Sequence, residues 1–238
     1  MDMHLDTTPR EVLVGPFDLR ALLAVPANAT GTVIFAHGSG SGRLSPRNNQ
    51  VAAALHRAGC ATLLLDLLMP TEEANRANVF DIALLAERLA TAAQWVHRQP
   101  ELGHLPIGYF GASTGAGAAL VAATFEGPEI SAIVSRGGRP DLAGSSLPLV
   151  RAPTLLLVGS LDGPVIGLNR QAYAALTAPK DLVIIEGAGH LFEEANATAP
   201  NEQHDPNYQR CEYALHFSHH NLICESSLTR DSMSLVQV

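Results

Sequence analysis

The chain has 238 residues, 47% of them hydrophobic and 16% charged, and a formal net charge of −8. That length suits one α/β domain burying roughly three quarters of its unfolded surface, with no need of a disulfide or a metal. Apolar runs are short and interrupted, as at Leu63-Leu64-Leu65-Asp66, which argues against a bilayer span; a single lysine, Lys180, and scattered arginines give no basic stripe for nucleic acid.

The acidic start, Met1 to Arg10, lacks the basic first region and apolar core of a secretory signal, so a cytoplasmic protein is expected. Residues 11–14 and 19–25 read as an antiparallel edge hairpin. Thr32 to Ala36 follows as a strand, Asn49 to Ala58 as a helix and Ala61 to Leu65 as a strand. Val79 to His97 carries apolar residues at Ile82, Leu85, Leu89, Ala92 and Val96, a helical stripe ended by Pro100. Then come a strand over 105–110, an Ala-rich helix over 116–125, strands over 131–134 and 154–158, a helix over 164–176 and a strand over 182–185. This alternation predicts a mostly parallel twisted sheet with helices on both faces.

From Asn196 the composition changes to Asn, His, Ser and Cys, and the helical periodicity ends. The chain is therefore read as a single domain over 1–194 and an atypical, poorly ordered tail over 195–238. His216, His219 and His220 with Cys211 or Cys224 offer a metal-site reading of that tail, but their spacing matches no known ligand pattern and no metal is expected. Cys60, Cys211 and Cys224 are read as reduced and structural.

Within Gly108-Tyr-Phe-Gly-Ala-Ser-Thr-Gly-Ala-Gly117, the pattern Gly111-x-Ser113-x-Gly115 lies between the strand over 105–110 and the Ala-rich helix. Strand, Gly-x-Ser-x-Gly turn and helix, in that order, form the nucleophile elbow of serine hydrolases: the serine is strained and its flanking glycines remove side chains that would collide. The alternative is a Gly-rich turn with an ordinary serine. A serine hydroxyl is a weak nucleophile and needs a general base with a third group to orient it. Asp162, beyond the strand over 154–158, and His190, beyond the strand over 182–185, have the chain order and the strand-end loops this chemistry requires. Asp141 is the runner-up acid. His56 and His97, on helices, and His104, in a loop, are read as non-catalytic.

The negative oxygen of a tetrahedral intermediate needs backbone donors. Thr114 supplies one N–H at the start of its helix, and Ser39, in His37-Gly38-Ser39-Gly40-Ser41-Gly42, is chosen for the other. A dinucleotide cradle is the rival reading of that loop, but position 43 is Arg and no Gly-Lys-Ser/Thr ending follows.

His37-Gly38-Ser39-Gly40, Gly111-Ala-Ser113-Thr-Gly115, Asp162-Gly163 and Gly187-Ala-Gly-His190-Leu-Phe192 together resemble an α/β-hydrolase, and within that superfamily the dienelactone hydrolase-like group, over about residues 30–194. The resemblance implies the α/β-hydrolase fold, ending in a helix packed on the sheet after the histidine. Dienelactone hydrolases proper use a cysteine nucleophile, where this chain has Ser113, and a glutamate near the oxyanion loop that has no counterpart here. This argues against dienelactone itself as substrate.

Larger relatives insert a cap after the strand that follows the elbow; residues 135–153 leave no room for one, so no cap domain is expected. An open site of this kind suits small soluble esters or lactones. His37 and Arg136 are expected to contact substrate, Arg136 through an acidic acyl or alcohol group. The expected activity is that of a carboxylesterase-like serine hydrolase working through an acyl-enzyme, with no cofactor, no nucleic-acid or membrane partner, and a monomeric or homodimeric state. A non-catalytic binding protein on this fold, or a thioesterase or acyltransferase with the same three residues, is the alternative.

Overall fold

The strands are β1 (Arg10–Val14), β2 (Leu19–Ala24), β3 (Gly31–Ala36), β4 (Cys60–Leu65), β5 (Ile107–Ala112), β6 (Ile130–Arg136), β7 (Thr154–Gly159) and β8 (Lys180–Ile185). They form one sheet in the order β1-β2-β4-β3-β5-β6-β7-β8 in the computed structural model, which describes residues 8–192. β1 and β2 make the expected antiparallel edge hairpin, and β2 runs antiparallel to β4. Every other pairing is parallel, from β4–β3 across to β7–β8. A parallel sheet needs cover on both faces, and the central strands accordingly read as nearly continuous apolar runs such as Thr-Val-Ile-Phe-Ala in β3.

The helices are α1 (Pro46–Arg57), α2 (Pro70–Glu73), α3 (Arg76–Val79), α4 (Ile82–His97), α5 (Thr114–Ala122) and α6 (Gly163–Ala175). Side-chain alternation along the strands sorts the core into two layers. Ile34, Leu63, Tyr109, Ile133 and Leu156 join α4, α5 and α6 in the larger layer. Val33, Phe35, Leu64, Phe110, Val134 and Leu157 meet Val51, Ala52 and Leu55 of α1 in the smaller one, where the Phe35 and Phe110 rings lie 5.0 Å apart.

Two helix starts differ from expectation because caps, not periodicity, set them. Ser45 accepts the Asn48 N–H ahead of Pro46, so α1 begins at Pro46 and not Asn49. Asp81 accepts the Leu84 N–H at 3.0 Å, so the long helix begins at Ile82; Arg76–Val79 forms a separate turn behind the Asn75 cap. The stretch between β6 and β7 is a run of 3-10 turns, Pro140–Leu149, that sends Ala143 and Leu147 into the core. It holds no cap domain. The short helices α2 and α3 stand instead between β4 and α4.

No helix among the described residues is long and apolar enough to cross a membrane, and none of their His, Cys, Asp and Glu side chains group in threes fit to hold a metal. The tail over 195–238, with Cys211, Cys224, His204, His216, His219 and His220, lies outside the described residues. Cys60 is half-buried at the start of β4 and forms no disulfide among them.

Candidate active site

Ser113 stands between β5 and α5 with φ 50° and ψ −123°, a left-handed backbone that L side chains rarely adopt. Its flanking glycines are there for space. A Cβ at Gly111 would come within 2.5 Å of the Ala116 Cα, and one at Gly115 would run into the carbonyl oxygen of Ala36. Helix α5 thus lies hard against the ends of β3 and β5. The Ser113 carbonyl is held by the N–H groups of Ala116 and Arg139 at 3.1 and 2.9 Å.

Asp162 and His190 meet. The carboxylate Oδ2 accepts from His190 Nδ1 at 2.6 Å, with the Asp162 side chain 12% exposed and that of His190 41% exposed. In the neutral imidazole a proton on Nδ1 facing the carboxylate leaves Nε2 as a lone-pair acceptor, and Nε2 has no partner among the described residues. Backbone bonds tie the two loops: Ser160 N–H to Ile185 O at 2.9 Å, Leu161 N–H to Ala188 O at 3.0 Å, and Gly187 N–H to Ser160 Oγ at 2.9 Å. Gly159 sits so close to the Ala188 carbonyl that no side chain fits between the loops. Asp141, the runner-up acid, is engaged elsewhere: its two oxygens accept from Nε and Nη2 of Arg139, both at 2.8 Å. That pairing raises the Arg139 pKa, first through the hydrogen bond to Asp141.

The loop after β3 lies against the serine, since a Cβ at Gly38 would fall 2.8 Å from the Ser113 Cβ. Ser39 and Thr114, the two expected backbone donors, line one cavity of ≈ 90 Å³. Neither of their N–H groups has a backbone partner among the described residues, whereas the Ser41 N–H is used within the loop on Gly38 O. The same cavity is walled by Asp66, Leu68, Glu73, Val79 and Leu85.

Ion pairs hold that wall. Arg43, nearly buried, gives Nη1 to Asp66 Oδ2 at 2.5 Å and its backbone N–H to Asp66 Oδ1 at 2.7 Å, and reaches Glu11 at 3.2 Å. Burial opposes the Arg43 charge, but the bonds to Glu11 and Asp66 outweigh it and its pKa rises. Arg88, also buried, gives Nη2 to Glu72 Oε1 at 2.5 Å and stacks 3.4 Å over the Phe17 ring; Glu72 Oε2 caps the Met69 N–H. Sequence reasoning missed this wall because its pairs are 16 and 23 residues apart. The capping residues Asn75 and Asp81 were the available signal for the short helices.

The two residues expected to contact substrate both have protein partners, and His37 also lines the cavity. His37 spends both ring nitrogens on backbone: Nε2 accepts the Leu67 N–H at 3.0 Å, and Nδ1 donates to Gly38 O at 2.9 Å. It is a brace between the β3 and β4 loops. Arg136 is not among the residues lining the cavity; its guanidinium donates to Asn48 Oδ1 at 3.0 Å and stacks 5.3 Å from the Phe110 ring, on the α1 side of the sheet.

No family model matches the chain. Two curated proteins from strains of Mycobacterium tuberculosis, carrying a provisional phosphoribosyl transferase name, are 56% identical to it over 184 residues. The match covers 77% of this chain and 42% of each relative, so the chain spans less than half their length. The solved structure of a dienelactone hydrolase from Anabaena variabilis is 50% identical, superposes with a TM-score of 0.81, and covers 89% of this chain and 99% of its own. A carboxyl esterase from Tuber melanosporum shares the fold, with a TM-score of 0.66 at 15% identity over 90% of this chain and 89% of that one. With half its residues shared over nearly the whole of the Anabaena enzyme, on the same sheet, the chain belongs to the dienelactone hydrolase family of α/β-hydrolases.

Proposed function

We propose that the chain hydrolyses small carboxylic esters or lactones through an acyl-enzyme on Ser113. The reading rests on one observation above all: the left-handed backbone of Ser113 at the head of α5. Such strain costs about 1–3 kcal/mol and persists where function needs it.

In the proposed reaction Ser113 Oγ attacks the ester carbonyl carbon while its proton passes to His190 Nε2. Asp162 keeps the other ring nitrogen protonated and stabilises the imidazolium that forms. The oxyanion takes hydrogen bonds from the N–H groups of Ser39 and Thr114, supported by the positive end of α5. The carbonyl–alkoxy bond then breaks, His190 returns the proton to the leaving oxygen, and the acyl group stays on Ser113. Water attacks that ester by the reverse proton route and releases the acid.

A phosphorylated ribose donor fits these residues poorly. The cavity is lined by the carboxylates of Asp66 and Glu73 and by no lysine or arginine, whereas pyrophosphate recognition draws on cations.

Turnover of short p-nitrophenyl esters, with labelling by a fluorophosphonate, tests the reading. Ser113→Ala should lower kcat by about 10⁴-fold or more and abolish labelling, with an unchanged circular dichroism spectrum. Unchanged turnover in that variant overturns the mechanism. An unreactive Ser113 in the wild type would point to the non-catalytic alternative.

A further inference from the structure

We infer that Glu73 sets the acyl specificity of the proposed hydrolase: the cavity beside Ser39 and Thr114 selects short acyl groups carrying a positive charge over neutral ones, and neutral over anionic ones. This rests on the serine-hydrolase reading of the site.

The cavity begins where the oxyanion would sit, between the β3 loop and the first turn of α5, and runs toward α2 and α3. Its ≈ 90 Å³ is well below the roughly 300–1,000 Å³ of sites for drug-sized ligands, which suits a short chain. Leu68, Val79 and Leu85 give it apolar walls suited to methylene groups.

Its charges are unbalanced. Asp66 is neutralised by Arg43, and both ring nitrogens of His37 are engaged by backbone groups. Glu72, next along the chain, is neutralised by Arg88. Glu73 remains: it lines the cavity, and its carboxylate has no hydrogen-bond or ion-pair partner among the described residues. An ammonium-bearing acyl group in the cavity meets the Glu73 carboxylate, and a carboxylate-bearing one meets repulsion from it.

The test compares kcat/KM for three near-isosteric esters followed by pH-stat: ethyl 3-aminopropanoate, ethyl butyrate and monoethyl malonate. In the wild type the cationic ester should exceed the anionic one by about ten-fold, a preference that shrinks as salt screens the exposed Glu73. Glu73→Gln should bring the ratio near one, and Glu73→Lys should invert it. A wild-type ratio near one, or a ratio that Glu73→Gln leaves in place, overturns the inference while the hydrolase reading stands. Absence of turnover for all three esters in the wild type overturns both.

Discussion

The two halves of the site are held by different forces. On the Ser113, Asp162 and His190 side, loops are locked by backbone hydrogen bonds and by glycines with no space beside them: Gly111 and Gly115 around the elbow, Gly159 against Ala188. On the β3–β4 side, the cavity wall is held by two buried arginines, Arg43 on Asp66 and Arg88 on Glu72. Steric locks tolerate no side-chain change but position reacting atoms tightly. Ion pairs fix a wall while leaving its remaining residues, Glu73 among them, free to vary. The first half suits chemistry that must stay constant, the second a surface that chooses substrates.

That contrast can be broken experimentally. The largest effect is expected at the carboxylate proposed to orient His190: Asp162→Asn should lower kcat on a short ester by about 10⁴-fold with little change in melting temperature, because the wrong His190 tautomer is favoured. A loss below ten-fold would remove Asp162 from the mechanism. Gly159→Ala should destabilise the fold by about 3 kcal/mol in urea titration, since its methyl group and the Ala188 carbonyl compete for one space. An unchanged midpoint would show that the loops can part.

On the other side, Glu72→Gln should cost about 2 kcal/mol by leaving buried Arg88 without its counter-charge, and Glu72→Gln with Arg88→Met should recover much of that loss. Additive losses would mean the pair is not coupled.

The smallest effect concerns pH. Burial, and then the neighbouring Arg57, hold His56 below the usual histidine range, while its Nε2 lies 2.6 Å from Thr62 Oγ1. The unfolded chain then takes up a proton more readily than the folded one. The stabilisation is fully present above the unfolded value near 6.5 and is lost as pH falls through the lower folded value. Urea midpoints at pH 7.5 and 5.0 should therefore differ less in His56→Gln than in the wild type.

Much of this could be read in the sequence. The strand and helix alternation, the edge hairpin, the absence of a cap between β6 and β7, and the pairing of Asp162 with His190 follow from local signals: apolar periods, Gly-Ser-Gly chemistry, and residues placed just past strand ends. These are legible because neighbours in sequence create them. Helix starts at Pro46 and Ile82 were missed by three residues each, although Ser45 and Asp81 mark them.

Other features were decided by tertiary structure alone. Nothing local says that Arg136 turns to Asn48, that His37 braces Leu67, or that Arg88 reaches back to Glu72. A charged side chain takes whichever partner the fold brings within about 3 Å, and that partner can come from anywhere along the chain. The sequence by itself thus determined the sheet and the residues proposed for covalent chemistry; the tertiary structure decided which charges are spent inside the fold and left Glu73 lining the cavity.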